Sequence, residues 1–121
     1  MMKFKNWLES NTLYHGTSVG AAIAIQRIGH MIPKDGNKIS FTSKKTVAQY
    51  YATMKGGFHN GLKGVILRIK NAKKYGFILS PKYEDNKDGF EWTTTYDIHA
   101  SDLEVLTLQG WIPLPEYDFI A

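Results

Sequence analysis

The sequence predicts an α+β domain with a mostly antiparallel sheet and two to three short helices. The first half of the chain reads as strand, helix, strand, helix, and the second half contains mainly strand patterns. A doubly wound fold would keep alternating strands with helices to the end. The 121 residues suit one domain spanning 1–121, and no apolar run approaches the roughly 20 residues of a membrane span.

The first predicted helix follows a short strand at 13–15. Ser18 is a typical N-cap residue, and Gly29 is a typical stop at the end of a helix. Between them, apolar residues recur at the spacing of one helical face: Ala21, Ile25 and Ile28. The sequence therefore predicts a helix with one apolar face.

The second predicted strand, 38–42, alternates apolar and hydroxyl side chains. Ile39 and Phe41 point to one face and Ser40 and Thr42 to the other. Ser43 is predicted to cap the following helix, KKTVAQYYATM. On that helix one face is predicted to carry the residues Val47, Tyr51 and Met54.

Four further segments are predicted as strands: VILRI, which reads as buried on both faces, a weaker YGFIL, then FEWTTTYDI and LEVLTL. The segment SPKYEDNKDG has the composition of a loop. Two prolines make the tail WIPLPEYDFIA unsuitable for a central strand. Phe4, Trp7 and Leu8 fall at helical spacing and predict a short amphipathic segment.

Composition restricts the possible partners. A net charge of +4 and a pI near 9.2 favour an anionic partner or substrate. The absence of cysteine excludes disulfides and thiolate metal sites and fits a reducing compartment such as the cytoplasm. His30, His59 and His99 show no metal-ligand spacing, so we predict surface histidines and no metal. Neither common phosphate-loop motif is present.

Four polar positions lie where strand ends or a helix would border one cleft. His15, followed by Gly16 and Thr17, ends the first strand, Ser40 lies on the second, and Glu91 opens a strand. Tyr51 follows Ser40 by eleven residues. This ordered set resembles the ADP-ribosyltransferase superfamily, in the class typified by diphtheria toxin and the poly(ADP-ribose) polymerases. The resemblance covers roughly residues 13–108.

The resemblance implies a compact ADP-ribosyltransferase-like fold with a split sheet and a substrate, NAD+, cleaved between nicotinamide and ribose. Glu91 would stabilise the positive charge that develops on the ribose. Gly16 would hold the carboxamide through its N–H and C=O, and His15 would bind the adenosine ribose. Tyr51 would stack on nicotinamide, and Ser40 and Thr17 complete the implied NAD+ site. The implied catalytic residues are Glu91, His15 and Tyr51.

One residue departs from the family pattern, and a second carboxylate competes for the catalytic role. Ser40 replaces the first of the family's two tyrosines, as in the arginine-specific branch, which predicts weaker binding of nicotinamide. Asp102 and Glu104 resemble that branch's acidic pair. We favour Glu91 because a full strand follows the one that it opens.

The expected activity is mono-ADP-ribosylation of a protein or nucleic-acid acceptor by a monomer, in the manner of a toxin, effector or phage-encoded modifier. We expect no membrane partner. Three alternatives remain: an inert module that binds NAD+ or ADP-ribose, a basic nucleic-acid-binding domain, and an RNA 2′-phosphotransferase. The last needs a set of arginines, and the chain has only Arg27 and Arg68.

Overall fold

The computed structural model describes residues 12–33, 38–79 and 91–119. It confirms an α+β domain with a mostly antiparallel sheet and two α-helices, α1 (Val19–Ile28) and α2 (Lys45–Lys55). The strands are β1 (Tyr14–Thr17), β2 (His30–Met31), β3 (Ile39–Thr42), β4 (Phe58–His59), β5 (Leu62–Lys63), β6 (Val65–Ile69), β7 (Ile78–Leu79), β8 (Glu91–Thr94), β9 (Ile98–His99), β10 (Leu103–Thr107) and β11 (Gly110–Pro113). Short 3-10 helices span Ala72–Tyr75, Ala100–Asp102 and Leu114–Glu116.

Seven strands form the main sheet, in the order β11-β10-β6-β1-β3-β8-β7. The β1–β6 and β3–β8 ladders each contain four residue pairs, whereas β1 and β3 share one, Tyr14 with Thr42. Two half-sheets are therefore joined through a single pair. Beyond it, residues 15–17 of β1 and residues 39–41 of β3 enclose an opening that we call the strand gap.

Helix α1 begins and ends where the sequence predicted. The Ser18 hydroxyl accepts a hydrogen bond from the Ala21 N–H at 3.0 Å, and Gly29 adopts the left-handed conformation with φ of 89°. The face that packs on the core differs from the predicted face of Ala21, Ile25 and Ile28, however. Ala22 is the buried residue of the helix, while Ile28 is 61% exposed. The packing surface is thus rotated toward Val19, Ile23 and Ile25.

Helix α2 differs more from its prediction. It begins at Lys45, with Lys44 at the cap position and no side-chain cap, so the predicted Ser43 cap was wrong. Tyr51 and Met54, which share the predicted face with Val47, are 47% and 63% exposed. The helix packs instead through two fully buried alanines, Ala48 and Ala52.

The two helices cover opposite faces of the sheet. On the face that α1 covers, the core contains Leu13, Phe41, Leu67, Val105 and Trp92. On the face that α2 covers, Ala48 and Ala52 pack with Ile66, and Tyr14 and Trp111 lie against them. We call these the α1 face and the α2 face. Neighbouring residues on one strand point to opposite faces.

The later strands are shorter than predicted. The predicted strand FEWTTTYDI is divided into β8 and β9, because the Tyr96 N–H turns back to the Thr94 hydroxyl at 3.2 Å. Of YGFIL, only Ile78–Leu79 is extended. The proline-containing tail forms β11 at the sheet edge, as its composition allowed. The predicted N-terminal amphipathic segment, loop SPKYEDNKDG and strand residue Phe90 lie outside the described residues.

His59 is buried, with 2% of its surface exposed, so the prediction of a surface histidine was wrong. Its Nε2–H donates to the Gly64 carbonyl at 2.9 Å, and its Nδ1 accepts from the Tyr117 hydroxyl at 2.7 Å. Asn60 Nδ2 donates to the same hydroxyl at 2.7 Å. These bonds attach the β4–β5 hairpin to the C-terminal segment, and burial lowers the pKa of His59. Neither described helix has the length and apolar character needed to cross a membrane.

Candidate functional site at the strand gap

The peptide group of Gly16 points into the strand gap. The Ile69 N–H donates to the Leu13 carbonyl at 3.1 Å, so the N–H and C=O of Leu13 point toward β6. Backbone groups of successive strand residues point to alternate sides. His15 and Thr17 therefore face β6, while Tyr14 and Gly16 face β3. Since the β1–β3 ladder ends at Tyr14, both the donor and the acceptor of Gly16 border the gap.

His15 closes the gap on the β3 side. Its Nδ1 lies 2.6 Å from the Ser40 carbonyl, the acceptor that Gly16 would meet if the ladder continued. A carbonyl only accepts, so Nδ1 carries the proton and Nε2 keeps its lone pair. Burial, followed by the nearby positive charge of Lys55, lowers the pKa of His15 from 6.5 to about 4 against the opposing bond to Ser40. The ring is neutral at pH 7.

The structure supplies a reason for glycine at position 16 that the sequence did not suggest. A Cβ there would lie 2.0 Å from the Ala48 carbonyl oxygen and 2.8 Å from the Ala52 nitrogen. Gly64, which immediately precedes β6, shows the same crowding, because a Cβ added there would lie 2.0 Å from the Ala52 carbonyl oxygen. Helix α2 therefore packs directly on the backbone of β1 and β6, and Gly16 is required for packing before any ligand is considered.

Tyr51 and Lys55 bring α2 to the mouth of the gap. Lys55 Nζ lies 3.5 Å from the Gly16 carbonyl oxygen and 6.0 Å from the centre of the Tyr51 ring. Lys55 therefore contacts the Gly16 carbonyl and approaches the Tyr51 ring from the same ammonium group. Lys55 was not singled out from the sequence. Its position four residues after Tyr51, on the same side of the helix, is the signal that could have found it.

Ser40 and Glu91 lie on the α2 face. Tyr14 belongs to that face and pairs with Thr42, which in turn pairs with Glu91. Ser40 lies two residues from Thr42 and shares the face. Ser40 pairs with Thr93, so Glu91, two residues away on β8, is its diagonal neighbour. Diagonal neighbours across a ladder are about 7–8 Å apart. His15 pairs with Leu67, and its ring packs on Phe41 at 5.2 Å on the α1 face.

Two further residues do not bring their side chains to the gap. Thr17 belongs to the segment of β1 that borders the gap, but it is only 6% exposed and pairs with Val65, so its side chain belongs to the interior. Glu104 is on β10, separated from β3 by β6 and β1, and its Oε1 is 2.7 Å from Arg68 Nε. The structure therefore groups His15, Gly16, Ser40 and Tyr51 around the gap. Glu91 is on the neighbouring strand and Glu104 is on the distant one.

The described part of the chain contains no group of three or more histidine, aspartate or glutamate residues placed to hold a metal ion. No protein-family model, curated protein or solved structure matches this chain. The functional evidence therefore lies in the strand gap itself, where the Gly16 peptide and His15 meet.

Proposed function

We propose that the protein is an ADP-ribosyltransferase-like domain that cleaves NAD+ at the strand gap and transfers ADP-ribose to an acceptor. The observation that carries the proposal is the Gly16 peptide, whose N–H and C=O point together into the gap between two half-sheets. A primary carboxamide offers the complementary pair, an oxygen that accepts and an amide that donates. Nicotinamide carries such a group.

The nicotinamide ring is expected on the α2 face, near Tyr51. Lys55 links the Gly16 carbonyl to the Tyr51 ring, so a ligand held by Gly16 displaces the lysine and meets the ring. Stacking of the cationic ring on tyrosine contributes roughly 0.5–2 kcal/mol. Ser40 provides a hydroxyl where the family has a second ring, which predicts weaker binding.

The adenosine ribose is expected at His15. In a neutral imidazole with its proton on Nδ1, the Nε2 lone pair is free to accept a hydrogen bond from a ribose hydroxyl. Because His15 approaches the gap from the α1 face while Tyr51 lies on α2, the extended dinucleotide would cross the gap between them. The role of His15 is to position the substrate.

Glu91 is the proposed catalytic carboxylate. When the bond between ribose C1′ and nicotinamide breaks, its electron pair leaves with nicotinamide, which departs neutral, and positive charge develops on the ribose. The Glu91 carboxylate, on the strand next to Ser40 and on the same face of the sheet, stabilises that charge. The acceptor atom then bonds to C1′ and releases its proton, where it carries one, to Glu91 or to solvent.

Release of nicotinamide from NAD+ tests the proposal. Purified protein is incubated with NAD+, with and without a cell lysate as a source of acceptor, and free nicotinamide is quantified by chromatography. Glu91→Gln is expected to lower the release at least about 100-fold. Glu116→Gln is the matched control, because Glu116 is an exposed carboxylate on the last 3-10 helix. Tyr51→Phe keeps the ring and is expected to retain most activity, whereas Tyr51→Ala is not.

Two results would contradict the transferase. Equal loss in the Glu91 and Glu116 variants would show that the carboxylate effect is unspecific. Binding of NAD+ or ADP-ribose by calorimetry, without any nicotinamide release in either sample, would support the inert module instead.

A further inference from the structure

Positive charge is concentrated in the middle of the chain. Residues 38–79 contain nine of the fifteen lysines and arginines and none of the eleven acidic residues. Among the described residues, Arg68 pairs with Glu104 and Lys74 with Asp102, each at 2.7 Å. A segment with nine cationic and no acidic residues favours an anionic partner.

Several large apolar side chains of the same segment are exposed. Tyr50, Met54 and Phe58 are 60%, 63% and 70% exposed, and Tyr51 beside them is 47% exposed. Tyr50 and Met54 lie four residues apart on α2, and Tyr51 and Lys55 form the adjacent row. The rings of Tyr50 and Tyr51 touch edge to face at 5.6 Å.

Two lysines lie beside these side chains. Phe58 pairs with Lys63 across the β4–β5 hairpin, and that hairpin lies against the end of α2, where Gly64 meets the backbone of Ala52. Lys55 follows Met54 at the end of the helix. Within the described residues neither Lys55 nor Lys63 is in an ion pair. The set of Tyr50, Tyr51, Met54, Lys55, Phe58 and Lys63 is called the aromatic–basic surface.

We propose that the aromatic–basic surface binds single-stranded nucleic acid. Flat aromatic side chains at the surface offer stacking positions for unpaired bases, and lysines between them contact the phosphates. Duplex bases are already stacked and cannot use the rings. An acidic peptide satisfies the lysines but leaves the exposed rings in water, so the combination favours nucleic acid.

The surface continues into the strand gap through Tyr51 and Lys55. A nucleic acid bound there presents a base nitrogen, hydroxyl or phosphate oxygen to the ribose C1′, so the strand is also the ADP-ribose acceptor. This assignment of the acceptor rests on the proposed function, whereas the binding itself does not. In the transfer the acceptor atom forms the bond to C1′ as nicotinamide leaves with the glycosidic electron pair. A base nitrogen or hydroxyl releases its proton to Glu91 or to solvent, whereas a phosphate oxygen has no proton to release.

Fluorescence anisotropy without NAD+ tests the binding. Labelled 15-nucleotide oligo(dT) and oligo(rU) are titrated with the full chain across a series of salt concentrations, beside a duplex of equal length. Tyr50→Ala and Phe58→Ala are each expected to weaken binding about 5- to 100-fold. Lys63→Gln is expected to lower the slope of log affinity against log salt by about 0.7.

Matched controls use residues away from the surface. Tyr96 is 63% exposed beyond β8, and the exposed Lys70 follows β6 at the opposite end of that strand from Gly64. Tyr96→Ala and Lys70→Gln are expected to bind as the unchanged protein does. Equal affinity for the duplex, equal affinity for a polyglutamate peptide, or unchanged binding by both aromatic variants would overturn the proposal. Because the assay omits NAD+ and nicotinamide release needs no oligonucleotide, either proposal can fail alone.

Discussion

Replacement of Gly16 by alanine tests how closely α2 packs on the sheet. The added Cβ would lie 2.0 Å from the Ala48 oxygen, about 1.4 Å short of the 3.4 Å at which ordinary contact begins. The colliding atoms belong to helix backbone, so no side-chain rotation relieves the clash. The helix must withdraw, which opens the packing around the fully buried Ala48 and Ala52. Overpacking typically costs about 1–3 kcal/mol, and a backbone clash belongs at the upper end.

The expected loss is a large share of the roughly 5–15 kcal/mol that stabilises a domain. At about 4 °C per kcal/mol for this chain length, the Tm falls by roughly 10 °C, measured by circular dichroism. Gly20→Ala is the control, because a Cβ added at Gly20 on α1 would meet no atom within 4 Å. That variant is expected to be neutral or more stable by up to about 1 kcal/mol. If Gly16→Ala melts within about 2 °C of the unchanged protein, the close helix–sheet contact is refuted.

Three more predictions concern titration, capping and the buried histidine. Because the pKa of His15 is near 4 when folded and 6.5 when unfolded, the unfolded chain binds more protons between these values; the free energy of unfolding falls by up to about 3 kcal/mol from pH 6.5 to 4. An NMR titration placing this pKa near 6.5 would contradict it. Ser18→Ala removes the bond to Ala21 and costs about 1 kcal/mol in urea unfolding; no change would exclude the cap. Tyr117→Phe leaves His59 Nδ1 without its donor and costs about 1–3 kcal/mol in the same assay; unchanged stability would show that the bond is dispensable.

Local sequence patterns correctly predicted features that depend on neighbouring residues, such as the ends of a helix and the two faces of a strand. The Ser18 cap and the Gly29 stop satisfy backbone groups within a few residues, so both ends of α1 were predictable. The alternation of Ile39 and Phe41 with hydroxyl residues assigned the faces of β3 correctly. Each of these signals acts over a short distance along the chain.

Contacts between distant segments were not predictable in this way. The packing face of α2 consists of alanines, because the helix approaches Gly16 on β1 and Gly64 just before β6 too closely for larger side chains. A search for large apolar residues therefore chose Tyr51 and Met54, which are exposed. The buried His59 is hydrogen-bonded to Tyr117, which is 58 residues away in the chain, and no local sequence pattern indicates this contact.

The candidate site was predictable in its residue types but not in its geometry. The resemblance to the ADP-ribosyltransferases singled out His15, Ser40 and Tyr51 by their order and spacing along the chain. It could not indicate that the β1–β3 ladder ends after one pair, which is what turns the Gly16 peptide toward the gap. Lys55 also remained hidden, because its contact with Gly16 depends on how α2 crosses the sheet.

The strand gap and the packing of α2 have a common structural origin. Helix α2 follows β3 in the chain, but its backbone lies against β1 and β6, which belong to the other half-sheet. One helix thus connects both halves without requiring the strands between them to pair fully. Gly16 takes part in the packing and in the proposed site, so its replacement cannot separate stability from activity. Substitutions of His15 and Tyr51 add no atom between α2 and the sheet. Variants at these two positions are therefore the informative tests of NAD+ binding.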